Sequence, residues 1–259
     1  MLPAVKRIAV HAMAASTMPF VTLTFAQTLD GGLALPRGGS FPISSEQTLH
    51  MTHALRAAHD GILIGVGTLK ADNPSLTVRH VPGRSPKPIV LDSKLETPLT
   101  CRLLTLASCR KPLIITCTSR DAGTTAYRER WDALVRAGAT IVAAGANENG
   151  TGVAIAAALQ RVFEFGIRSV MVEGGARIIA AFLATAGAAA TTAGRRSIVG
   201  QLIITVAPML LPSGLRVPQT RWPHDESVRL DDVVTTVVGC DIVIAGILPP
   251  PRPTAMPVT

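Results

Sequence analysis

Aromatic side chains are scarce in this sequence, and their scarcity argues against one class of partner. Phenylalanine, tryptophan and tyrosine together make up 3% of the 259 residues. Proteins that bind single-stranded nucleic acid use such rings as stacking surfaces for the bases. The net charge of +8 would suit a polyanion, but the basic residues are scattered along the chain and form no stripe. We therefore expect no nucleic-acid partner.

Cysteine and long apolar runs are also in short supply. The four cysteines form no Cys-x-x-Cys pair and no histidine lies at zinc spacing, so we expect no metal site and a reducing compartment. No apolar run reaches the roughly 18 residues of a membrane span, so we expect no membrane contact. These absences favour a cytoplasmic protein. Residues 1–17, which contain Lys6 and Arg7 but no acid, leave mitochondrial targeting as an alternative.

The motifs of covalent catalysis are missing as well. There is no Gly-x-Ser-x-Gly elbow and no cysteine–histidine pattern. His50 and His53 fall on one predicted helix, but no third ligand accompanies them. We therefore interpret the histidines as helix-surface residues.

What the sequence does contain is an alternation of short apolar strands and helices. Strands are predicted at 19–26, 61–65, 88–91, 113–116, 140–143, 169–172 and 201–206. Ser44 and Gln47 fit a capping box at the start of the first helix. Segments 228–238 and 241–248 flank a Gly-Cys pair, as in a hairpin. The pattern predicts a mixed, mostly parallel sheet with helices on both faces and a C-terminal antiparallel hairpin.

The segment from Val170 to Arg177 is the most informative one. An apolar strand ends in Glu173, two glycines follow, and a helical pattern begins. Glycines permit close approach of the backbone to a ligand, and a helix N-terminus suits a phosphate. A tight strand-to-helix turn without a ligand explains the same residues, so the motif alone leaves both readings open.

Polar residues follow two other predicted strands. Thr68 comes after the first of them and Asp72 lies one helical turn further on, while Ser93 and Lys94 follow the second. Ligands of parallel sheets bind beyond the carboxyl ends of the strands, so these residues are candidate phosphate contacts. A local cap at Asp72 and an ordinary polar turn at Ser93 are the alternatives. The isolated arginines at 56 and 79 are phosphate ligands or plain surface groups.

These pieces, taken in order, resemble one family. They are FAQTLDG at 25–31, ISSE at 43–46, the unbroken stretch LRAAHDGILIGVGTLKADNPSLTVR at 55–79, VLDS at 90–93 and VEGGA at 172–176. The chain resembles the riboflavin-biosynthesis reductases, the diaminohydroxyphosphoribosylaminopyrimidine reductases, whose fold is that of dihydrofolate reductase. The resemblance runs from about Pro19 to about Leu248, and the 55–79 stretch is its most specific part.

The resemblance also implies residue roles. The cofactor, usually NADPH with NADH as the alternative, would contact Ala26, Thr68, Asp72, Ser93 and Lys94, the last two near the 2′-phosphate. The turn Gly174, Gly175, Ala176, Arg177, Ile178 would hold the pyrophosphate. The substrate would meet Ser40, Arg56, Leu76, Arg79 and Glu173. The proton donor would be Glu173 or a bound water.

The implied reaction is hydride transfer to C1′ of a ribosylamino group through its open-chain imine, giving a ribitylamino product. The zinc deaminase motifs of bacterial relatives are absent, which favours 2,5-diamino-6-ribosylamino-4(3H)-pyrimidinone 5′-phosphate as substrate, as in the fungal and archaeal route. The alternatives are a reductase for the deaminated pyrimidine or another heterocycle, and a catalytically silent nucleotide-binding protein. The resemblance further implies a homodimer, a state that is common in that family.

The sequence departs from the family at three places. Pro42 replaces an aromatic residue near the nicotinamide, Asn73 replaces a second aspartate, and the segment 187–197 is longer than usual. No composition break or internal repeat divides the chain. We expect one reductase domain at 19–248, a flexible N-terminal extension at 1–18 and a proline-rich tail at 249–259.

Overall fold

The computed structural model describes residues 17–35, 42–117, 124–188, 197–218 and 228–249. Their strands are β1 (Phe20–Thr28), β2 (Gly61–Gly65), β3 (Lys87–Leu91), β4 (Leu113–Cys117), β5 (Thr140–Ala144), β6 (Ser169–Val172), β7 (Gln201–Ala207), β8 (Asp231–Val238) and β9 (Asp241–Ile247). Their helices are α1 (Glu46–Ala58), α2 (Val66–Asp72), the single turn α3 (Arg102–Thr105), α4 (Thr125–Arg136), α5 (Ile155–Glu164) and α6 (Ala176–Ala188).

The nine strands form one sheet in the order β5-β4-β3-β2-β6-β1-β7-β9-β8. Strands β1 to β7 are all parallel, whereas β9 runs antiparallel to both β7 and β8. The mixed, mostly parallel sheet with a C-terminal antiparallel hairpin is therefore confirmed. Because seven parallel strands end at one edge of the sheet, their following loops share that edge, which is where ligands bind in such folds.

Helices cover both faces of this sheet, as the apolar pattern predicted. In β2, Ile62 and Ile64 pack with Leu69 of α2 on one face, while Leu63 packs with Phe182 of α6 on the other. All five of these side chains are at most 1% exposed. A strand buried on both sides reads as a continuous apolar run, which is the GILIG pattern of β2.

The start of α1 differs from the prediction. The N-cap is Ser45, whose Oγ accepts the N–H of Thr48, so the Ser44–Gln47 capping box is wrong. The cause lies far along the chain. The Asp241 carboxylate accepts hydrogen bonds from the Ser45 N–H at 2.7 Å and from the Thr48 hydroxyl at 2.5 Å. Two adjacent serines are equivalent in sequence, and only this contact across the fold selects the second.

Other boundaries shift because of strand pairing and capping in the folded chain. Strand β1 continues to Thr28 because Gln27 and Thr28 pair with β7. The turn α3 was not predicted, and its Arg102 N–H is capped by the Asn73 side chain at 2.8 Å. Asn73 has a left-handed φ of 42°, a conformation that asparagine tolerates, so it ends α2 well.

Several predictions fall outside the described residues. They are the extension at 1–16, Ser40 in the 36–41 segment, most of the 187–197 segment, and the tail from 250 onward. In the described part, no helix combines the length and apolar character needed to cross a bilayer.

Candidate active site

Two glycine-containing turns meet at the carboxyl edge of the sheet. The Glu173 N–H donates to the Leu63 carbonyl at 3.0 Å, so Glu173 continues the pairing of β6 with β2. One residue beyond Gly174, the Gly175 N–H donates to the Thr68 hydroxyl at 3.1 Å. The turn after β6 and the first turn of α2 are thereby joined, as their shared position at strand ends requires.

The glycines of these turns fall into two groups, according to what a side chain at each position would contact. A Cβ on Gly174 would lie 2.3 Å from Cβ of Ile178, and one on Gly65 would lie 2.8 Å from Cγ1 of the same side chain. Ile178 packs against both backbones, so protein packing rather than ligand approach explains these two glycines. By contrast, a Cβ on Gly67 meets no described atom within 4 Å, and one on Gly175 meets only the Thr68 hydroxyl at 3.1 Å. Backbone is accessible to a ligand at those two positions.

The N-terminus of α6 faces the same space. The N–H groups of Ile178 and Ile179 donate to the Gly175 carbonyl and begin the helical hydrogen bonding. Among the residues the structure describes, no acceptor faces the N–H groups of Ala176 and Arg177. Such unpaired donors, together with the positive end of a 13-residue helix, form a favourable environment for phosphate oxygens.

A buried ion pair lies beside this turn. Arg56 of α1 donates through Nε to Oε1 of Glu173 at 2.7 Å and through Nη2 to Oε2 at 2.6 Å. Their side chains are only 12% and 18% exposed. Burial alone would lower the pKa of Arg56, but the Glu173 carboxylate outweighs it and raises that pKa. Both carboxylate oxygens of Glu173 accept hydrogen bonds from Arg56.

The second arginine reaches the pair through the loop that follows α2. Arg79 Nη1 donates to the hydroxyls of Ser75 at 2.5 Å and Thr77 at 2.9 Å, and Arg56 Nη1 donates to the Thr77 carbonyl at 3.3 Å. Both guanidinium groups therefore contact Thr77, a residue that sequence reasoning missed. Between these hydroxyls, Leu76 is buried with φ +53°, an unusual conformation for a bulky residue, and strain of this kind often marks ligand-binding loops.

The remaining candidate cofactor residues share the sheet edge without direct contacts between them. Ala26 lies two residues before the end of β1, and Asp72 ends α2, where partial burial raises the pKa of its carboxyl. Ser93 and Lys94 follow β3, and Ser93 Oγ lies 3.7 Å from the Cβ position of Gly152. The loops after β3 and β5 therefore meet at Ser93.

Two of the four histidines that the structure describes differ from their predicted surface placement. His53 is 0% exposed and His59 4%, whereas His50 and His80 are exposed. His59 is held between the Leu55 carbonyl at 2.7 Å and the Thr22 hydroxyl at 2.9 Å. His53 accepts the backbone N–H of Arg79 at 3.0 Å. The sequence contains one signal for the burial of His53 that was missed: this residue lies one turn before Arg56, on the same side of the helix.

Comparison with known proteins adds an independent result. Residues 19–244 match the family described as the RibD C-terminal domain. The chain is 36% identical over 236 residues to the 2,5-diamino-6-ribosylamino-4(3H)-pyrimidinone 5′-phosphate reductase of Saccharomyces cerevisiae, covering 86% of both chains. It is 34% identical over 207 residues to the same reductase of Debaryomyces hansenii, covering 76% of this chain and 77% of that one. The solved structure of the S. cerevisiae riboflavin biosynthesis reductase Rib7 superposes with a TM-score of 0.70 at 29% identity, over 95% and 98% of the two chains.

Proposed function

We propose that this chain, which belongs to the RibD C-terminal domain family, reduces 2,5-diamino-6-ribosylamino-4(3H)-pyrimidinone 5′-phosphate with NADPH. The product is the ribitylamino compound of riboflavin biosynthesis. The observation that carries the proposal is the joining of the Arg56–Glu173 pair to Arg79 through Thr77, directly beside the Thr68–Gly175 contact. This arrangement sets an anion-recognising loop against a phosphate-binding helix end.

The residues present fit a nicotinamide dinucleotide. The unpaired N–H groups at the start of α6 suit its pyrophosphate, and the space beside Gly67 admits a ligand close to the backbone. Ser93 and Lys94 would hold the 2′-phosphate, and Ala26, Thr68 and Asp72 would line the rest of the site. The bound cofactor supplies a hydride, while the protein contributes binding, orientation and exclusion of water.

On the substrate side, the two arginines have different tasks. Arg56 is committed to Glu173 and Thr77, so it fixes the carboxylate. Arg79 uses only Nη1 within the described residues, which leaves its Nε and Nη2 donors for the substrate phosphate. Each oxygen of Glu173 keeps a lone pair for an amino group of the pyrimidine. In this arrangement Glu173 orients the substrate, and a bound water is the better candidate for the proton donor.

The decisive experiment is an assay of NADPH oxidation with the diamino pyrimidine and its deaminated counterpart. We expect turnover with the diamino substrate and a lower kcat/KM with the deaminated one. A preference for the deaminated pyrimidine would favour the second candidate reductase. Saturable NADPH binding without oxidation in the presence of either would instead indicate a nucleotide-binding protein.

We also propose that the protein is a homodimer that packs through its terminal hairpin. Strand β8 is the last strand on one side of the sheet among the described residues, and edge strands are common sites of pairing with another chain. Val237 is 69% exposed and is paired with Ile242, which is 42% exposed, while Val233 nearby is 52% exposed. Light scattering should report a dimer. Val237→Asp should give a monomer, and Val135→Asp, at a valine of α4 that is 46% exposed, should not.

We propose a cytoplasmic location because the buried cysteines of the described residues are free thiols. Cys101, Cys109 and Cys117 are buried and unbridged, as in proteins of a reducing compartment. Cell fractionation tests this, and recovery in the mitochondrial fraction would favour targeting by the N-terminal residues.

A further inference from the structure

His53 occupies an unusual position in α1. It lies one helical turn before Arg56 and is completely buried. Its Nδ1 lies 3.0 Å from the backbone nitrogen of Arg79. Because a backbone N–H can only donate, Nδ1 must accept and cannot carry a proton. The imidazole is therefore neutral, with its hydrogen on Nε2.

The surroundings of His53 keep it neutral. Burial lowers the pKa of His53 to about 4, and electrostatic interactions with Arg56, His80, Arg79 and His50 act in the same direction. The Nδ1 acceptor is thus available throughout the physiological pH range.

The other ring nitrogen has no described partner. His53 Nε2 is buried without a hydrogen bond, and the ring stands edge-on to His80 with 4.6 Å between centroids. Buried polar atoms are nearly always satisfied, so an unsatisfied donor is a stability cost that packing alone does not explain. A leucine would fill a similar volume without that cost, but it would lack the Nδ1 acceptor that contacts Arg79.

That acceptor ties the Arg79 loop to the helix that carries Arg56. The Arg79 side chain bonds only within its own loop in the described structure, to Ser75 and Thr77. Its backbone N–H, however, is fixed by His53. Both arginines are consequently positioned from α1, one directly and one through a side chain a single turn away.

We propose that His53 is a positioning residue: its Nδ1 fixes the backbone of Arg79 and thereby sets the guanidinium against the Arg56–Glu173 pair for recognition of the substrate phosphate. This inference rests on the proposed function. Within that function, the buried imidazole of His53 sets the spacing between the two arginines.

Three substitutions test the role of Nδ1. His53→Leu keeps the volume and removes the acceptor, while His53→Asn places Oδ1 near the position of Nδ1. His53→Gln carries its amide one bond further out and lacks an acceptor there. We expect His53→Leu and His53→Gln to raise KM for the phosphorylated substrate about three- to tenfold, the effect of one lost hydrogen bond, with kcat within about twofold. His53→Asn should restore KM to within about twofold of the unmodified protein.

The controls separate this role from a general structural one. His50→Leu, one turn earlier on the exposed side of α1, should change neither constant. An unchanged KM in His53→Leu or His53→Gln, or equal damage in His53→Asn and His53→Leu, would overturn the proposal.

A second readout does not depend on turnover. Calorimetric titration with ribose 5-phosphate should show the same three- to tenfold weakening in His53→Leu and its rescue in His53→Asn. Equal affinities in all variants would refute the positioning role. Absence of turnover in the unmodified protein, with this pattern of affinities intact, would refute the proposed reaction instead.

Discussion

Replacing Glu173 by glutamine is the sharpest perturbation of the candidate site. The change keeps the shape of the side chain and removes its charge. Arg56 would then remain with a guanidinium that is only 12% exposed and has lost its counter-ion. Breaking a buried pair from one side is costly because the remaining charge stays desolvated.

The expected magnitude follows from the geometry. Loss of one partner of a buried pair costs about 3–5 kcal/mol. The pair is 12% and 18% exposed, and glutamine keeps one acceptor for Arg56, so we expect a loss of about 2–3 kcal/mol in the free energy of unfolding. For a domain of this size that corresponds to a Tm lower by roughly 4–12 °C.

Chemical denaturation of matched variants measures this loss. The control is Glu96→Gln, which breaks the Lys70–Glu96 pair at 2.9 Å with side chains 50% and 46% exposed. An exposed pair of this kind contributes little, so the control should stay within about 0.5 kcal/mol of the unmodified protein. Replacing Arg56 and Glu173 together by leucine should recover part of the loss. Equal stability of the Glu173→Gln and Glu96→Gln variants would refute the reasoning.

Three further predictions concern the turn, the cofactor and pH. Gly174→Ala places a Cβ 2.3 Å from Cβ of Ile178, so we expect α6 to shift, the free energy of unfolding to fall by about 1–3 kcal/mol and NADPH to bind more weakly in a fluorescence titration. Lys94→Ala should lower the preference for NADPH over NADH in kcat/KM, because the 2′-phosphate loses a cation. For pH, the folded-state pKa of His53 is about 4 against an ordinary 6.5, so between these values the unfolded chain binds a proton that the folded chain does not. The free energy of unfolding should therefore fall by up to about 3 kcal/mol as the pH drops from 6.5 to 4, and His53→Asn should show less of this fall.

Each of these has a clear contrary result. Gly67→Ala is the companion of the first, since its Cβ meets open space, and equal destabilisation of both glycine variants would contradict the packing explanation. An unaltered NADPH preference would remove Lys94 from the 2′-phosphate site. Identical pH profiles for the unmodified protein and His53→Asn would show that another group controls acid stability.

The sequence predicted the sheet well because its signals are local. Buried parallel strands read as short apolar runs, and the strand, glycine turn and helix around Glu173 follow from neighbouring residues. The helix start at Ser45 could not be chosen this way, since Asp241 decides it from 196 positions away.

The sequence predicted which edge of the sheet carries the candidate site, but not the contacts between the residues of that site. Strand ends placed Thr68 and the 174–175 turn near one another, and the structure brings them within hydrogen-bonding distance. Tertiary packing places Ile178 against Gly174 and buries His53 under the Arg79 loop. The periodicity of a helix does not reveal such packing.

The strand order has a consequence for the synthesis of this protein on the ribosome. Strands β2 to β5 are neighbours in both sequence and space, so this half of the sheet can assemble as the chain emerges. Strand β1 is the first of the described strands to be made, but it lies between β6 and β7, so one of its edges stays open until residue 172 has been made and the other until residue 207. In ribosome-stalled chains of increasing length, we expect β2–β5 to become resistant to limited proteolysis before β1. The first of these strands is thus paired on both sides only when the parallel sheet is complete, and until then it has an edge open to aggregation.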